Sequence, residues 1–165
     1  MSKDKLRQRL IEERAALLAE IEGLTEDEAA RIPPGSEWSI KDVLAHLSSA
    51  EGAAIDFIRC MLEEDGPRQV PPEVVFDLDR WNASQVRKRR EWSLPRVLDE
   101  LRTQREALLR SMDELTDEQL SRRGIHAAWG EVSVADQLRI LHLHDQMHRK
   151  MITQLKAVLP VSAER

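Results

Sequence analysis

The feature that most limits how this chain can fold is a duplication. Residues 14–31 read RAALLAEIEGLTEDEAAR and residues 105–122 read REALLRSMDELTDEQLSR. Identities fall at Arg14/Arg105, Ala16/Ala107, Leu17/Leu108, Leu18/Leu109, Leu24/Leu115, Thr25/Thr116 and Arg31/Arg122, all at an offset of 91, which Trp38/Trp129 keep. Ser39 and Ser133 each open a Ser-x-x-Asp motif but are offset by 94, so the second half carries a three-residue insertion. Each half has the same order: apolar residues at helical spacing, a Thr capping box, a Trp, Ser-x-x-Asp, and a second helical stretch. Two copies of an α-hairpin joined by a long connection pack most simply as an all-α four-helix bundle with one long crossover and internal pseudo-two-fold symmetry.

Composition agrees. The chain has six Gly, two Phe and no Tyr, while Leu, Ala, Glu and Arg are plentiful, a balance that favours helices over strands. No strand is read anywhere. At 165 residues the chain is expected to be a single domain, 1–165. The first hairpin covers about 3–64, the crossover about 65–92, the second hairpin about 93–159, and a short tail 160–165. Within these limits Gly23 is placed to end the first helix, at about Glu22. Ser39 caps the second with Asp42 completing its box, and Trp38 is placed to staple onto Val43. That helix should reach about Glu63, before a loop that includes Gly66 to Pro72. A charged helix follows from about Asp77 to Glu91, then one from Leu94 to Met112 capped by Ser93, and the last runs from Ser133 to about Val158.

Several function classes are disfavoured. No run approaches the roughly 18 apolar residues of a membrane span, and Met1 to Lys5 lacks the apolar core of a secretory signal, so a cytoplasmic protein is expected. Cys60 is the only cysteine, which excludes an internal disulfide or a multi-Cys metal site. A net charge of -5 argues against a broad nucleic-acid footprint.

Chemistry rests with the histidines. His144 and His148 sit four apart on the last helix and interrupt an apolar stripe of Val134, Leu141, Met151, Leu155 and Val158, so they point into the bundle. His142 lies about 200° round from His144 and faces elsewhere. His46 shares the inward face of Val43, Ala50 and Phe57. Counted from the caps Ser39 and Ser133, His46 stands at +7 and His144 and His148 at +11 and +15, so the duplicated helices project all three from equivalent faces. Buried imidazoles without partners cost on the order of 1–3 kcal/mol each. A divalent metal resolves that cost for all three at once, and three His ligands leave an open position, as in catalytic zinc sites. Because such ligands must be neutral, affinity is expected to weaken below about pH 6.5. His144-Asp145-Gln146-Met147-His148 has the spacing of the HExxH zinc-protease helix, but Asp replaces the general-base Glu and no histidine follows, so that reading is rejected.

The run Trp38-Ser39-Ile40-Lys41-Asp42-Val43-Leu44-Ala45-His46-Leu47, followed late in the chain by His144-x-x-x-His148, resembles the DinB-like superfamily over about residues 5–158. These are four-helix bundles that include the DinB/YfiT group and relatives of mycothiol-dependent maleylpyruvate isomerase. The resemblance implies metal ligands at His46, His144 and His148, zinc or nickel as the metal, and a homodimer. It also implies a small-molecule substrate, with a low-molecular-weight thiol as co-substrate of an S-transferase. A metal-dependent hydrolase and a non-catalytic helical binding or dimerisation module stand as alternatives. No further catalytic or cofactor-binding residue is singled out. Asp42 is explained by its cap, and Asp145 is expected to face off the site. Arg87-Lys88-Arg89-Arg90 reads as a solvated helix face, and Trp38, Trp92 and Trp129 as packing residues. Trp81 is the tryptophan expected to line a pocket or dimer contact, and Cys60 reads as a buried small hydrophobe.

Overall fold

A computed structural model of the chain describes residues 1–63 and 76–159. The expected loop from Gly66 to Pro72 and the tail 160–165 lie outside the described residues. The elements are α1 (Lys3–Glu20), α2 (Glu26–Ala30), α3 (Ile40–Leu62), α4 (Leu78–Arg89), α5 (Leu94–Asp113), α6 (Asp117–Ser121), β1 (Arg123–His126), β2 (Gly130–Ser133) and α7 (Val134–Ala157). The helices begin where their caps dictate. Ser39 and Ser133 each accept from the backbone N–H three residues on, while Asp42 and Asp136 accept from the cap backbone in return. Thr25 and Thr116 form the same reciprocal boxes with Glu28 and Gln119. Gly23, at φ 79, ends the turn after α1 in the left-handed region that only glycine adopts cheaply. We expect Ser39→Ala to cost about 1 kcal/mol in urea unfolding, the usual worth of an N-cap.

The four long helices form a bundle with α1 packed on α7, and α3 packed on both α7 and α5. Each half's two long helices therefore find their principal neighbours in the other half. Two apolar clusters fill the interior. One gathers Leu17, Ile40, Leu44, Leu47, Leu101 and Ile152; the other gathers Leu6, Leu10, Met61, Leu108, Met112 and Leu138. Four charged residues, one per long helix, lie in sequence between members of the two clusters: Arg14, Glu51, Arg105 and Asp145. All four are buried, with relative exposures of 6%, 1%, 5% and 1%.

The four form a closed ring of ion pairs. Arg14 binds Glu51 at 2.5 Å and Asp145 at 3.0 Å; Arg105 binds Glu51 at 2.5 Å and Asp145 at 2.9 Å. Each arginine also donates to a backbone carbonyl, Arg14 to Leu101 and Arg105 to Leu10. This ring obeys the duplication. Arg14 and Arg105 are repeat equivalents, Leu10 and Leu101 share the same offset of 91, and Glu51 and Asp145 both stand twelve residues after their capping serines. Asp145, to which the spacing alone assigned no role, is thus committed to a buried network.

Other expectations need correcting. A two-stranded antiparallel sheet is present, pairing Arg123 with Ser133 and His126 with Gly130. The three-residue insertion lies between Trp129 and Ser133, which makes it Gly130, Glu131 and Val132 of β2. In the first half, Pro33 and Pro34 stand where the second has Gly124 and Ile125, and proline cannot donate to a ladder. The connection closes on Gly130 at φ 71, the conformation hairpins of this length require. Cys60 is exposed rather than buried, and Val158 lies 55% exposed beyond the end of α7. Arg89 leaves the solvated face assigned to it, gripping Glu100 through two nitrogens at 2.7 and 2.8 Å.

Candidate metal centre

α3 and α7 cross so that the three predicted histidines meet. His46 Nε2 lies 3.0 Å from His144 Nε2, which lies 3.1 Å from His148 Nε2. One potential ligand atom from each falls within 4.8 Å of the others. The +7, +11 and +15 steps explain the convergence: the three share equivalent faces of the duplicated helices. At +11 and +15 α3 carries Ala50 and Ala54, so the first half leaves room for the rings contributed by the second. His142 is buried on another face, where the charges acting on it are those of Glu13, Arg9, Arg139 and Asp145.

Electrostatics keep these imidazoles neutral. Burial, reinforced by His144 and His148, pushes His46 down to about 3. Burial, His148 and the Arg14 guanidinium push His144 down to about 3. Burial lowers His148 to about 4, with Asp145 pulling the other way. The ion ring is therefore an electrostatic neighbour of the histidines as well as a structural layer.

The cluster fits a divalent ion. Neutral nitrogens have been brought together although a ring nitrogen between two others can satisfy at most one of them by hydrogen bonding. A tetrahedral ion with Zn–N bonds of about 2.0–2.1 Å holds its ligand nitrogens roughly 3.3 Å apart, close to the two spacings observed here. The Nδ1 atoms of His46 and His148 are buried without a hydrogen-bond partner among the described residues.

The three rings form part of the wall of a cavity of about 550 Å³. Trp38, expected only to pack, reaches this wall and lies 5.1 Å from His46 between ring centroids. Trp81 also lines the cavity, as expected of it. Trp129 departs from expectation: it is 48% exposed and stacks on His126 at 4.1 Å, because the hairpin carries it out to the cavity rim. The sequence reading missed His126 and Gln137, both of which line the cavity. Gln137 was detectable as an amide seven residues before His144, on the same inward face.

No curated protein matches the chain in sequence. Among solved structures, YfiT from Bacillus subtilis, described as a probable metal-dependent hydrolase with an unusual four-helix bundle topology, is 23% identical at a TM-score of 0.74; the alignment covers 95% of this chain and 89% of that one. The colibactin self-resistance protein ClbS, solved with a double-stranded DNA, is 14% identical at a TM-score of 0.77, over 96% and 98% of the two chains. A mycothiol-dependent maleylpyruvate isomerase is 10% identical at a TM-score of 0.74, over 91% of this chain but only 60% of that one. These likenesses establish the shared bundle. The sequence itself matches the DinB superfamily across residues 9–152, a span that holds all three clustered histidines and the whole ion ring, and the chain belongs to that superfamily.

Proposed function

We propose that the protein is a divalent-metal-dependent enzyme in which His46, His144 and His148 hold one ion, zinc or nickel, with an open position toward the cavity. The convergence of three neutral Nε2 atoms, from the buried His46 and His148 and the half-buried His144, supports this reading more than any other observation. When bound, such an ion would lower the pKa of a thiol or a water at its remaining position. A low-molecular-weight thiol as nucleophile gives an S-transferase; water gives a hydrolase. The chain's own residues contribute in separate ways. The histidines stay deprotonated through burial, so their lone pairs remain available. Trp38 and the apolar wall limit water around the reacting atoms, and Asp145, tied to Arg14 and Arg105, fixes the helix that carries His144 and His148. A homodimer in the cytoplasm belongs to the same proposal, and sedimentation velocity reads its size directly.

Metal analysis of untagged protein tests the centre. We expect about one zinc or nickel per chain, with affinity at least tenfold weaker in His46→Ala and in His148→Ala. Saturating metal should raise the unfolding free energy by about 3 kcal/mol at a hundredfold excess over Kd. Metal-free protein that melts identically with ion and with chelator would instead indicate the non-catalytic module. Turnover that needs added thiol identifies the transferase, and turnover in water alone identifies the hydrolase. The pH dependence differs from the expectation drawn from free histidine. The folded imidazoles stay neutral down to about 3–4, so metal affinity should stay nearly flat from pH 8 to about 5.

A further inference from the structure

The cavity beside the histidines has an unusual lining for this chain. A third of the residues are charged, yet among the described residues lining the cavity none is Asp, Glu, Lys or Arg. Aromatic groups stand on two sides. Phe76 and Trp81, 6.5 Å apart between centroids, come from the start of α4 and the residues before it. Trp129 lies stacked on His126 at an interplanar angle of 11° on the hairpin side. His126 is held in place by its Nδ1, which accepts from the Ala128 N–H, and by an edge contact with Phe57. Burial moves the His126 pKa downward, so this wall too is uncharged at neutral pH.

Two amides break the pattern, Asn82 at the α4 side and Gln137, and of the two only Gln137 is buried. Gln137 lines the cavity at 2% exposure, and its Oε1 is buried without a hydrogen-bond partner among the described residues. A carbonyl oxygen in that situation is costly unless something donates to it. Gln137 precedes His144 by seven residues, about 10 Å along the helix axis. A ligand that donates to Gln137 while reaching the histidines must span roughly that length. A volume of about 550 Å³ lies within the range of sites for drug-sized molecules.

We propose that the cavity binds an uncharged, elongated aromatic small molecule that stacks on the Trp129 and Trp81 walls and donates a hydroxyl or N–H hydrogen bond to Gln137. Which end of that molecule reacts rests on the metal-centre reading; the binding itself does not. In the metal-free protein, selection against ionic ligands follows from the lining, because a carboxylate or ammonium would leave water without gaining a counter-charge. Selection for a donor follows from Gln137, since an analogue lacking it leaves the buried oxygen unpaired.

Tryptophan fluorescence tests this on the purified full chain, because Trp38, Trp81 and Trp129 all line the cavity. The probes are 2-naphthol, 2-methoxynaphthalene, which lacks the donor, and 2-naphthoate, which is anionic. With chelator present throughout, we expect 2-naphthol to quench and to bind at least tenfold more tightly than either of the others. Gln137→Leu should remove the naphthol preference over the methoxy compound, and Trp129→Ala should weaken both. The chelator removes any contribution from a probe oxygen on a metal. Equal or tighter binding of 2-naphthoate, no binding of 2-naphthol, or an unchanged preference in a folded Gln137→Leu protein would overturn the assignment. The comparison of the three probes on the unaltered chain stands even where that variant does not fold. Protein that holds metal but ignores 2-naphthol loses this proposal and keeps the metal centre; protein that binds 2-naphthol but no metal does the reverse.

Discussion

Glu51→Ala should be among the most destabilising single substitutions in this protein, lowering the unfolding free energy by about 3–5 kcal/mol. The change strips one carboxylate from a ring in which both arginines use it, leaving Arg14 and Arg105 buried with Asp145 alone. Domains of this size are stable by about 5–15 kcal/mol, so the loss is a large share of the whole. The melting temperature should fall by about 6–20 °C. Burial decides the size of the effect. Exposed pairs such as Arg59–Asp56, with both side chains at least 70% exposed, are worth about 0–1 kcal/mol. Replacing all four members together, with Arg14→Met, Glu51→Leu, Arg105→Met and Asp145→Leu, should recover most of the stability, because no charge is then left unpaired. Urea titration of the single and quadruple variants decides the matter, and a Glu51→Ala protein within 1 kcal/mol of the parent would show that the ring is loosely held.

Acid should unfold the metal-free protein steeply. In the unfolded chain each clustered histidine takes up a proton near pH 6.5. In the folded state His46 and His144 do so only near 3, and His148 near 4. Between these limits the unfolded state binds more protons, so the stabilisation is fully present above about 6.5 and is lost as pH falls. Each histidine contributes up to about 1.4 kcal/mol per pH unit, and the three together up to about 4 kcal/mol per unit over the steepest stretch. Urea midpoints measured in chelator from pH 7.5 to 4.5 should drop accordingly. Substituting His46, His144 and His148 together by Ala should flatten the dependence, and a parent midpoint unchanged over that range would contradict their burial as neutral groups.

Much of this architecture was legible because it rests on local rules. Ser39, Thr25, Thr116 and Ser133 are caps wherever they occur with an acid or amide three residues on, and the structure starts helices at each of them. The histidines were legible for a related reason: three polar rings on apolar faces at spacings of four carry their own geometry. The β-hairpin was not. Its strands are four residues each, with Ile125 and Val132 as their only β-branched aliphatic residues, too short for alternation to register. The ion ring escaped because charge is normally a sign of a surface. Arg14/Arg105 stood out only as a repeat identity, and the acids that neutralise them are 37 to 131 residues distant in sequence. Trp129 is carried outward by a hairpin whose three-residue insertion is visible in the sequence while its fold is not. Cys60 and Val158 lie near helix ends, where an apolar stripe continues in sequence after the bundle that would cover it has ended.

The exchange of partners between the two halves has a mechanical consequence. α1 rests on α7, while α3 rests on α5 and α7, so neither half can enclose an interior by itself. A single half also holds one arginine and one acid of the ring, Arg14 with Glu51 or Arg105 with Asp145, and the contacts of each arginine to the other half's acid and backbone would be absent. Two polypeptides divided within the connecting segment should each be largely unstructured alone and should assemble one-to-one when mixed. Circular dichroism would register the helicity gained on mixing. The chain behaves as an interlocked pair of like subunits whose dissociation has been prevented by a covalent tether.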